Sequence, residues 1–577
     1  MRKVLVGLLC TVALGAFANP ADDLLNRIDK GAAAKFKTVL VKSDKDFFEI
    51  DQAQKGNGTS AASKSAASKS GAGKNNPIII RGNSWVNIAV GINWYLKHHA
   101  GIHISWNNMN VKLPAVLPAV KQKERHETDL KLRYNFNYCT FSYTMAFWDW
   151  NRWQKEIDWM ALHGINMPLA AVGTESVWRN MLLKLGYSEE EVGKFIAGPA
   201  FLAWWEMNNL EGWGGPLPLG WYKQQETLQK KILARMKEMG MKPVLPGYCG
   251  MVPHDAKQKL GLNVTDAGRW NSYQRPANLS PTDSRFAEIA DLYYKELTRL
   301  YGKSDYYSMD PFHESGNDAA VDYGKAGEAL MSAMKRANPH AIWVVQGWNE
   351  NPRPQMIANL KVGDLLVLDL FSESRQNFKD FCTGENTSGT GKKDFSTSKK
   401  EGIYGKHQWL FCLLENFGGN VGLHGRMDQL LNNFYLATGK KDTPKQENSS
   451  LLTLHSSLKG WGFTMEGSEN NPVMFELMSE LPWRAEKITK EDWIKEYCYA
   501  RYGVHDATIE KAWTLLAQSI YNCPKGNIQQ GTHESIFCAR PSQNCYQIST
   551  WSLMSNYYDP EDTRQAAILL TLSLIHI

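Results

Sequence analysis

Two stretches near the middle of the chain, Ile342-Trp343-Val344-Val345-Gln346-Gly347 and Leu365-Leu366-Val367-Leu368-Asp369-Leu370, decide the fold. Each is a short apolar run of strand character, and helix-period sequence follows it. The same alternation extends outward in both directions, with further runs at 134–140, 165–171, 243–248, 305–310, 408–414 and 459–464, which makes eight in all. Between the runs, apolar residues recur at helical spacing. Trp153, Ile157, Met160 and Ala161 share one face of the first intervening helix, and Tyr323, Leu330 and Met334 share one face of the fourth. Parallel strands need crossover helices, and a closed ring of them leaves no unpaired edge, so the pattern predicts an α/β fold of the (β/α)8 TIM-barrel type over 126–470. A doubly wound open sheet is the alternative. It lacks support, because no Gly-rich phosphate turn follows the first run.

The flanks of this region read differently. Residues 19–125 combine an amphipathic opening (Leu24, Leu25, Ile28), the strand-like Phe47-Phe48-Glu49-Ile50 and Ile78-Ile79-Ile80, and a helix-like 86–98, as a small N-terminal α/β domain would. A Ser/Ala/Lys/Gly insert at 55–76 has almost nothing to bury and reads as a solvated loop. Beyond about residue 470 the pattern is helical, with Phe475, Met478 and Leu481 in one segment, and the region 471–577 reads as a helical C-terminal domain. At the other end, Arg2 and Lys3 precede an apolar run over 4–14 and then Ala16-Phe17-Ala18, the layout of a signal peptide occupying 1–18. The run is too short for a membrane anchor, and the expectation is a secreted or periplasmic protein.

Composition narrows the function classes. With 577 residues, a net charge of +6 and 21% charged residues, the chain is neither disordered nor basic enough for a nucleic-acid binder. Its 21 Trp and 23 Tyr supply many flat apolar faces, which serve in cores, at interfaces and under sugar rings. The nine cysteines form no C-x-x-C pair, so a zinc ribbon or redox motif is not expected, although Cys538 and Cys545 could form a disulfide. His99 and His103 have H-x-x-x-H spacing but lack the adjacent Glu of a zinc protease, and no calcium loop is present. No metal and no cofactor is expected, and no later stretch is long and apolar enough to span a membrane.

Function in such a barrel gathers where the strands end. Asn137 and Cys139 lie in the first run, Asp310 and Glu314 follow the fourth, Trp348 the fifth, Glu373 the sixth, Asn416-Phe417-Gly418-Gly419-Asn420 the seventh and Glu466 the eighth. Glu314 and Glu466 each sit directly after an apolar strand and among aromatics. Two such carboxyls suit glycosidic bond cleavage, in which one protonates the leaving oxygen while the other, ionised, attacks or supports the oxocarbenium-like centre. Either could equally be a carboxylate at a helix N-terminus, and position alone leaves both readings open. A catalytic Cys139 with His254 or His313 lacks any recognisable pattern.

Longer motifs carry more. Arg133-Tyr134-Asn135-Phe136-Asn137-Tyr138-Cys139-Thr140, Phe147-Trp148-Asp149-Trp150, Glu156-Ile157-Asp158-Trp159-Met160-Ala161-Leu162-His163-Gly164-Ile165-Asn166, Gly198-Pro199-Ala200-Phe201-Leu202-Ala203-Trp204 and the segment 416–420 occur in order. Together they closely resemble the alpha-N-acetylglucosaminidases of glycoside hydrolase family 89, over about 78–522. The resemblance implies a retaining exo-glycosidase that takes a glycan ending in alpha-linked N-acetylglucosamine, with lysosomal members acting on heparan sulfate. It implies Glu314 as the acid/base and Glu466 as the nucleophile. It also implies a sugar pocket lined by Asn137, Cys139, Tyr143, Trp204, Trp270, Asp310, Trp348 and Cys412. His313 departs from the Asn common in the family. The family's helical C-terminal domain packs on the barrel, and this chain ends in the apolar, helix-like 566–577, short of the family's usual end. The rival readings are a substrate-assisted beta-hexosaminidase, whose adjacent Asp-Glu pair is absent at both glutamates, and a sugar-binding protein without chemistry.

Overall fold

The computed structural model describes residues 19–52, 76–312, 314, 321–348, 351–375, 378, 404, 406–420, 422–440, 455–525, 547–549, 552–553 and 556–574. The leader, nearly all of the polar insert, His313, Cys538 and Cys545 lie outside them.

The chain opens with the helix Pro20–Ile28, capped by Asn19, whose side chain accepts from the Ala21 N–H. Its apolar face of Leu24, Leu25 and Ile28 is buried. A four-stranded sheet follows, made of β1 (Phe36–Leu40), β2 (Asp46–Gln52), β3 (Ile78–Gly82) and β4 (Glu124–Thr128) in the order β1-β3-β2-β4. The helix Trp85–His98 packs on it, started by Ser84, which accepts from the Asn87 N–H.

The barrel strands are β5 (Leu132–Asn135), β6 (Met167–Pro168), β7 (Val244–Pro246), β8 (Tyr306–Ser308), β9 (Ile342–Gly347), β10 (Leu365–Asp369), β11 (Gln408–Leu413) and β12 (Leu458–Phe463). They form one eight-stranded parallel sheet in the order β6-β5-β12-β11-β10-β9-β8-β7. A bridge between Leu169 and Val244, with the Ala170 N–H donating to the Val244 carbonyl at 2.8 Å, closes the ring. The eight runs legible in the sequence are these strands. β9 spans the bounds read for it, and β10 and β11 each stop one residue earlier. Their residues are buried on both faces, which is why they read as unbroken apolar runs.

The first run is the exception. Residues 134–140 were expected to be one strand, but β5 ends at Asn135 and the helix Tyr138–Tyr143 begins within the run. A capping box makes the break: Asn137 accepts from the Cys139 N–H at 3.1 Å, and the Asn137 N–H donates to Thr140 Oγ1 at 3.1 Å. Local capping therefore outweighs the β-propensity of the aromatic and branched residues here.

Buried charges join the parts. Arg133 donates to Asp46 at 2.6 Å and to Asn87 at 2.8 Å, tying the barrel to the N-terminal sheet and helix. Lys97 donates to Glu476 at 2.8 Å and to Glu480 at 2.5 Å on the helix Pro472–Glu480, which follows the eighth-strand loop. The buried charges of Arg133 and Lys97 are thus both partnered, which offsets the cost of removing them from water. The helices Lys490–Tyr502, Ala507–Gln518 and Pro560–Leu574 pack beyond this junction. Among the described residues no helix is long and apolar enough to cross a membrane.

Candidate active site

The eighth-strand loop is anchored from below. Thr464 donates its hydroxyl to the Leu370 carbonyl at 2.8 Å, Asn137 Nδ2 donates to the Thr464 carbonyl at 3.3 Å, and the Thr140 hydroxyl donates to the Met465 carbonyl at 2.6 Å. These bonds fix the backbone on either side of the strand end and deliver Glu466 to the barrel mouth. There the Gly418 N–H donates to Glu466 Oε2. Gly418 and Gly419 have φ of 63° and 66°, a left-handed pair that only glycine adopts at little cost. Gly419 also lies against the Tyr143 ring, where a Cβ would come within 2.9 Å of the ring carbons. This Gly-Gly turn therefore brings an N–H to one glutamate and an aromatic wall beside it.

Glu314 follows β8, with φ of 47°, and Phe312 before it has φ of 59°. Two left-handed non-glycine residues so close together store roughly 1–2 kcal/mol each, and strain of this kind gathers at functional sites. Cross-links hold the strained turn in place. Asn209 Nδ2 donates to Glu314 Oε2 at 2.5 Å, and Arg275 donates to the Glu314 carbonyl at 2.8 Å and to the Asn208 carbonyl at 3.3 Å.

Glu466 senses the charge of Glu314. Burial pushes the Glu466 carboxyl up to about 7, the Gly418 N–H pulls it down, and the charge of Glu314 pushes it further up. Burial, then Glu466, then Glu314 also push the Cys139 thiol well up, which keeps it protonated. A reactive thiol needs the opposite environment. His254 is exposed and pairs with Gln274, and among the described residues no hydrogen bond joins it to Cys139. Burial together with Glu466 and Cys139 likewise raises the Tyr143 hydroxyl, and the Tyr143 ring meets Trp204 edge to face at 5.0 Å. Glu466, Glu314, Cys139, Tyr143 and Trp204 thus form one constellation at the strand ends.

The remaining expected residues fall at different depths. Asp310 is buried just after β8; the Gln346 N–H donates to its Oδ1 at 2.8 Å, and among the described residues its Oδ2 has no partner. Burial raises this carboxyl to about 7. Asn137 is buried, its Oδ1 taken by the helix cap and one amide hydrogen by Thr464. Cys412 is fully buried on β11, facing Gly462. Trp348 is half-buried and packs with Phe417 on a small cluster of Leu370, Phe371 and Leu414. Trp270 is half-buried on a hairpin of Arg269–Trp270 and Tyr273–Gln274.

Sequence reading missed Asn209, Arg275 and Gly418. Asn209 follows the Trp-rich 198–204 motif by only a few residues, and Gly418 lies inside a quoted motif, so both were within reach. Arg275 carried no signal, because its partner is a main-chain carbonyl. Glu206 was missed as well; burial and then Glu175 push its carboxyl well up. One possible metal cluster exists among the described residues, formed by His98, Glu480 and Glu496. Arg484 already bridges its two glutamates, at 2.9 and 2.5 Å, and so opposes a cation there.

The family model for the alpha-N-acetylglucosaminidase (NAGLU) TIM-barrel domain matches residues 133–485. The chain belongs to the alpha-N-acetylglucosaminidase family. The N-terminal and C-terminal domain models of the alpha-N-acetylglucosaminidase family match residues 19–119 and 493–574. The alpha-N-acetylglucosaminidase of Homo sapiens is 34% identical over 511 residues, covering 86% of this chain and 63% of that protein. A family 89 glycoside hydrolase from Clostridium perfringens, in complex with 2-acetamido-1,2-dideoxynojirmycin, is 30% identical with a TM-score of 0.83 over 97% of this chain and 58% of that one. The same enzyme, with two glutamates replaced by glutamine and in complex with its substrate GlcNAc-alpha-1,4-galactose, superposes with a TM-score of 0.81, at 30% identity, over 96% of this chain and 58% of that one. The chain therefore spans roughly three fifths of these relatives' length, 63% and 58% respectively.

Proposed function

We propose that this chain is an exo-acting alpha-N-acetylglucosaminidase that releases terminal alpha-linked N-acetylglucosamine by double displacement. The observation that carries the reading is the pair itself: Glu466 and Glu314, from the ends of the eighth and fourth strands, lie close enough that one raises the other's carboxyl. In the first step Glu466, ionised, attacks the anomeric carbon while Glu314 protonates the departing oxygen. In the second step Glu314 takes a proton from water, which displaces Glu466 and restores the original anomer. The Gly418 N–H favours the ionised form that attack needs. Asn209 keeps the Glu314 carboxyl turned to the leaving oxygen.

The surroundings fit a sugar. Tyr143 and Trp204 offer apolar faces, as do Trp270 and Trp348, while Cys139 and Cys412 fill the wall as small soft groups. A sugar hydroxyl that donates to Asp310 Oδ2 would satisfy a buried acceptor that is otherwise unpaired. The relatives' names support the substrate class, a glycan ending in alpha-linked N-acetylglucosamine. On the layout of residues 1–18 we also propose export, in which case the mature protein should begin at Asn19.

Hydrolysis of chromogenic alpha- and beta-N-acetylglucosaminides tests the reading. Turnover of the alpha anomer with the beta anomer spared is expected. Turnover of the beta anomer alone points to a hexosaminidase, and binding without turnover of either points to a lectin-like protein.

A further inference from the structure

The acid that protonates the leaving oxygen must stand on the side of the departing sugar. Around Glu314, two segments of chain are stitched together: Arg275 joins the Glu314 and Asn208 carbonyls, and the Glu211 N–H donates to the Gln274 carbonyl at 3.0 Å. Both segments continue outward from the acid, and both carry aromatic rings. Trp213 is 48% exposed, an unusual state for so large an apolar group, and its ring meets Tyr273 at 5.1 Å and 65°. Phe201 supports the other edge of Trp213 at 6.2 Å, and Trp270 lies 6.3 Å from Tyr273.

The exposed indole is held by backbone rather than by burial. Gly198 donates its N–H to the Trp213 carbonyl at 2.8 Å, and Gly212 and Gly214, with φ of 68° and 72°, turn the chain on either side. A contiguous row of rings beside a polar centre marks a binding surface, whereas a lone exposed aromatic would not.

We infer that Trp213 and Tyr273 form a platform for the sugar ring beyond the cleaved bond. The inference rests on Glu314 as the acid/base. The apolar C–H face of a pyranose lies on the exposed indole, with Tyr273 at its edge.

The test compares kcat/KM for N-acetylglucosamine-alpha-1,4-galactose with that for alpha-N-acetylglucosaminyl fluoride, whose leaving group has no ring. Trp213→Ala should lower the disaccharide-to-fluoride ratio about tenfold, equivalent to about 1.4 kcal/mol of transition-state binding, with Trp213→Phe intermediate. Tyr273→Leu should move the ratio the same way. Equal losses on both substrates, or no change in the ratio, would overturn the platform while leaving the activity standing. If the unaltered protein cleaves neither substrate, the role of Glu314 falls and the platform with it.

Discussion

Glu466 accepts from the N–H of Gly418, a residue of the seventh-strand loop held with φ of 63°. This donor favours the ionised carboxylate, and burial and the charge of Glu314 oppose it, so that the carboxyl reaches about 7. A nucleophile poised in this way is sensitive to pH, to its neighbour and to the glycine turn that supplies the donor.

The first prediction concerns stability. The folded carboxyl of Glu466 titrates above its ordinary value of 4.5, at about 7. Such a group costs nothing well below the lower value and destabilises the fold progressively as pH rises through the higher one. Glu466→Gln should therefore match the unaltered protein in melting temperature near about pH 4 and exceed it near about pH 8, by a difference on the order of 1–3 kcal/mol. A difference of the same size at both pH values would show that Glu466 does not titrate in this range.

Leaving-group dependence separates the two glutamates. Glu314→Ala should spare substrates with good leaving groups more than those with poor ones, and azide should partly restore its turnover. Glu466→Ala should lose both kinds of substrate. If the two variants respond alike, the roles are misassigned.

Asn209 donates to Glu314 Oε2, and under the proposed mechanism it acts as a positioning residue. Asn209→Ala should lower kcat on poor leaving groups by about tenfold to a hundredfold, a loss of about 1–3 kcal/mol for a hydrogen bond to a charged group. On good leaving groups the loss should be smaller, and the pH profile should shift. A uniform fall on all substrates with an unchanged pH profile would reduce Asn209 to a packing role.

Trp348 sits on the small cluster of Leu370, Phe371 and Leu414, so both a sugar-facing and a packing role are open to it. If its indole carries the sugar, Trp348→Ala should weaken binding of N-acetylglucosamine by about 1–3 kcal/mol. If it only packs, the same change should cost about 3–5 kcal/mol of stability and leave affinity unchanged. Melting temperature and affinity measured on the one variant distinguish them.

The barrel was legible because its strands are buried on both faces and stand out as apolar runs, 342–347 most clearly. The break at Asn137 was not, since a cap competes with strand propensity through side-chain hydrogen bonds that a hydrophobic pattern does not record. Glu314 and Glu466 could be picked out by their place after strands, but position left a helix N-terminal role equally open, and their assigned roles came from the family resemblance. Their supports were less legible. Asn209 lies 105 residues from Glu314, and Gly418 lies 48 from Glu466, and such pairings exist only once the barrel closes. Trp213 and Tyr273 escaped because their exposure and mutual contact belong to the fold, and a sequence rich in tryptophan gives no reason to prefer these two.

As nucleophile and acid/base of a retaining enzyme, Glu466 and Glu314 must hold their carboxyls about 5–5.5 Å apart rather than the roughly 6.5–9.5 Å of an inverting pair. The most direct measurement is proton NMR of the sugar as it is first released from an aryl alpha-N-acetylglucosaminide, before mutarotation. The alpha anomer of N-acetylglucosamine is the expected initial product. Initial release of the beta anomer would contradict the retaining assignment.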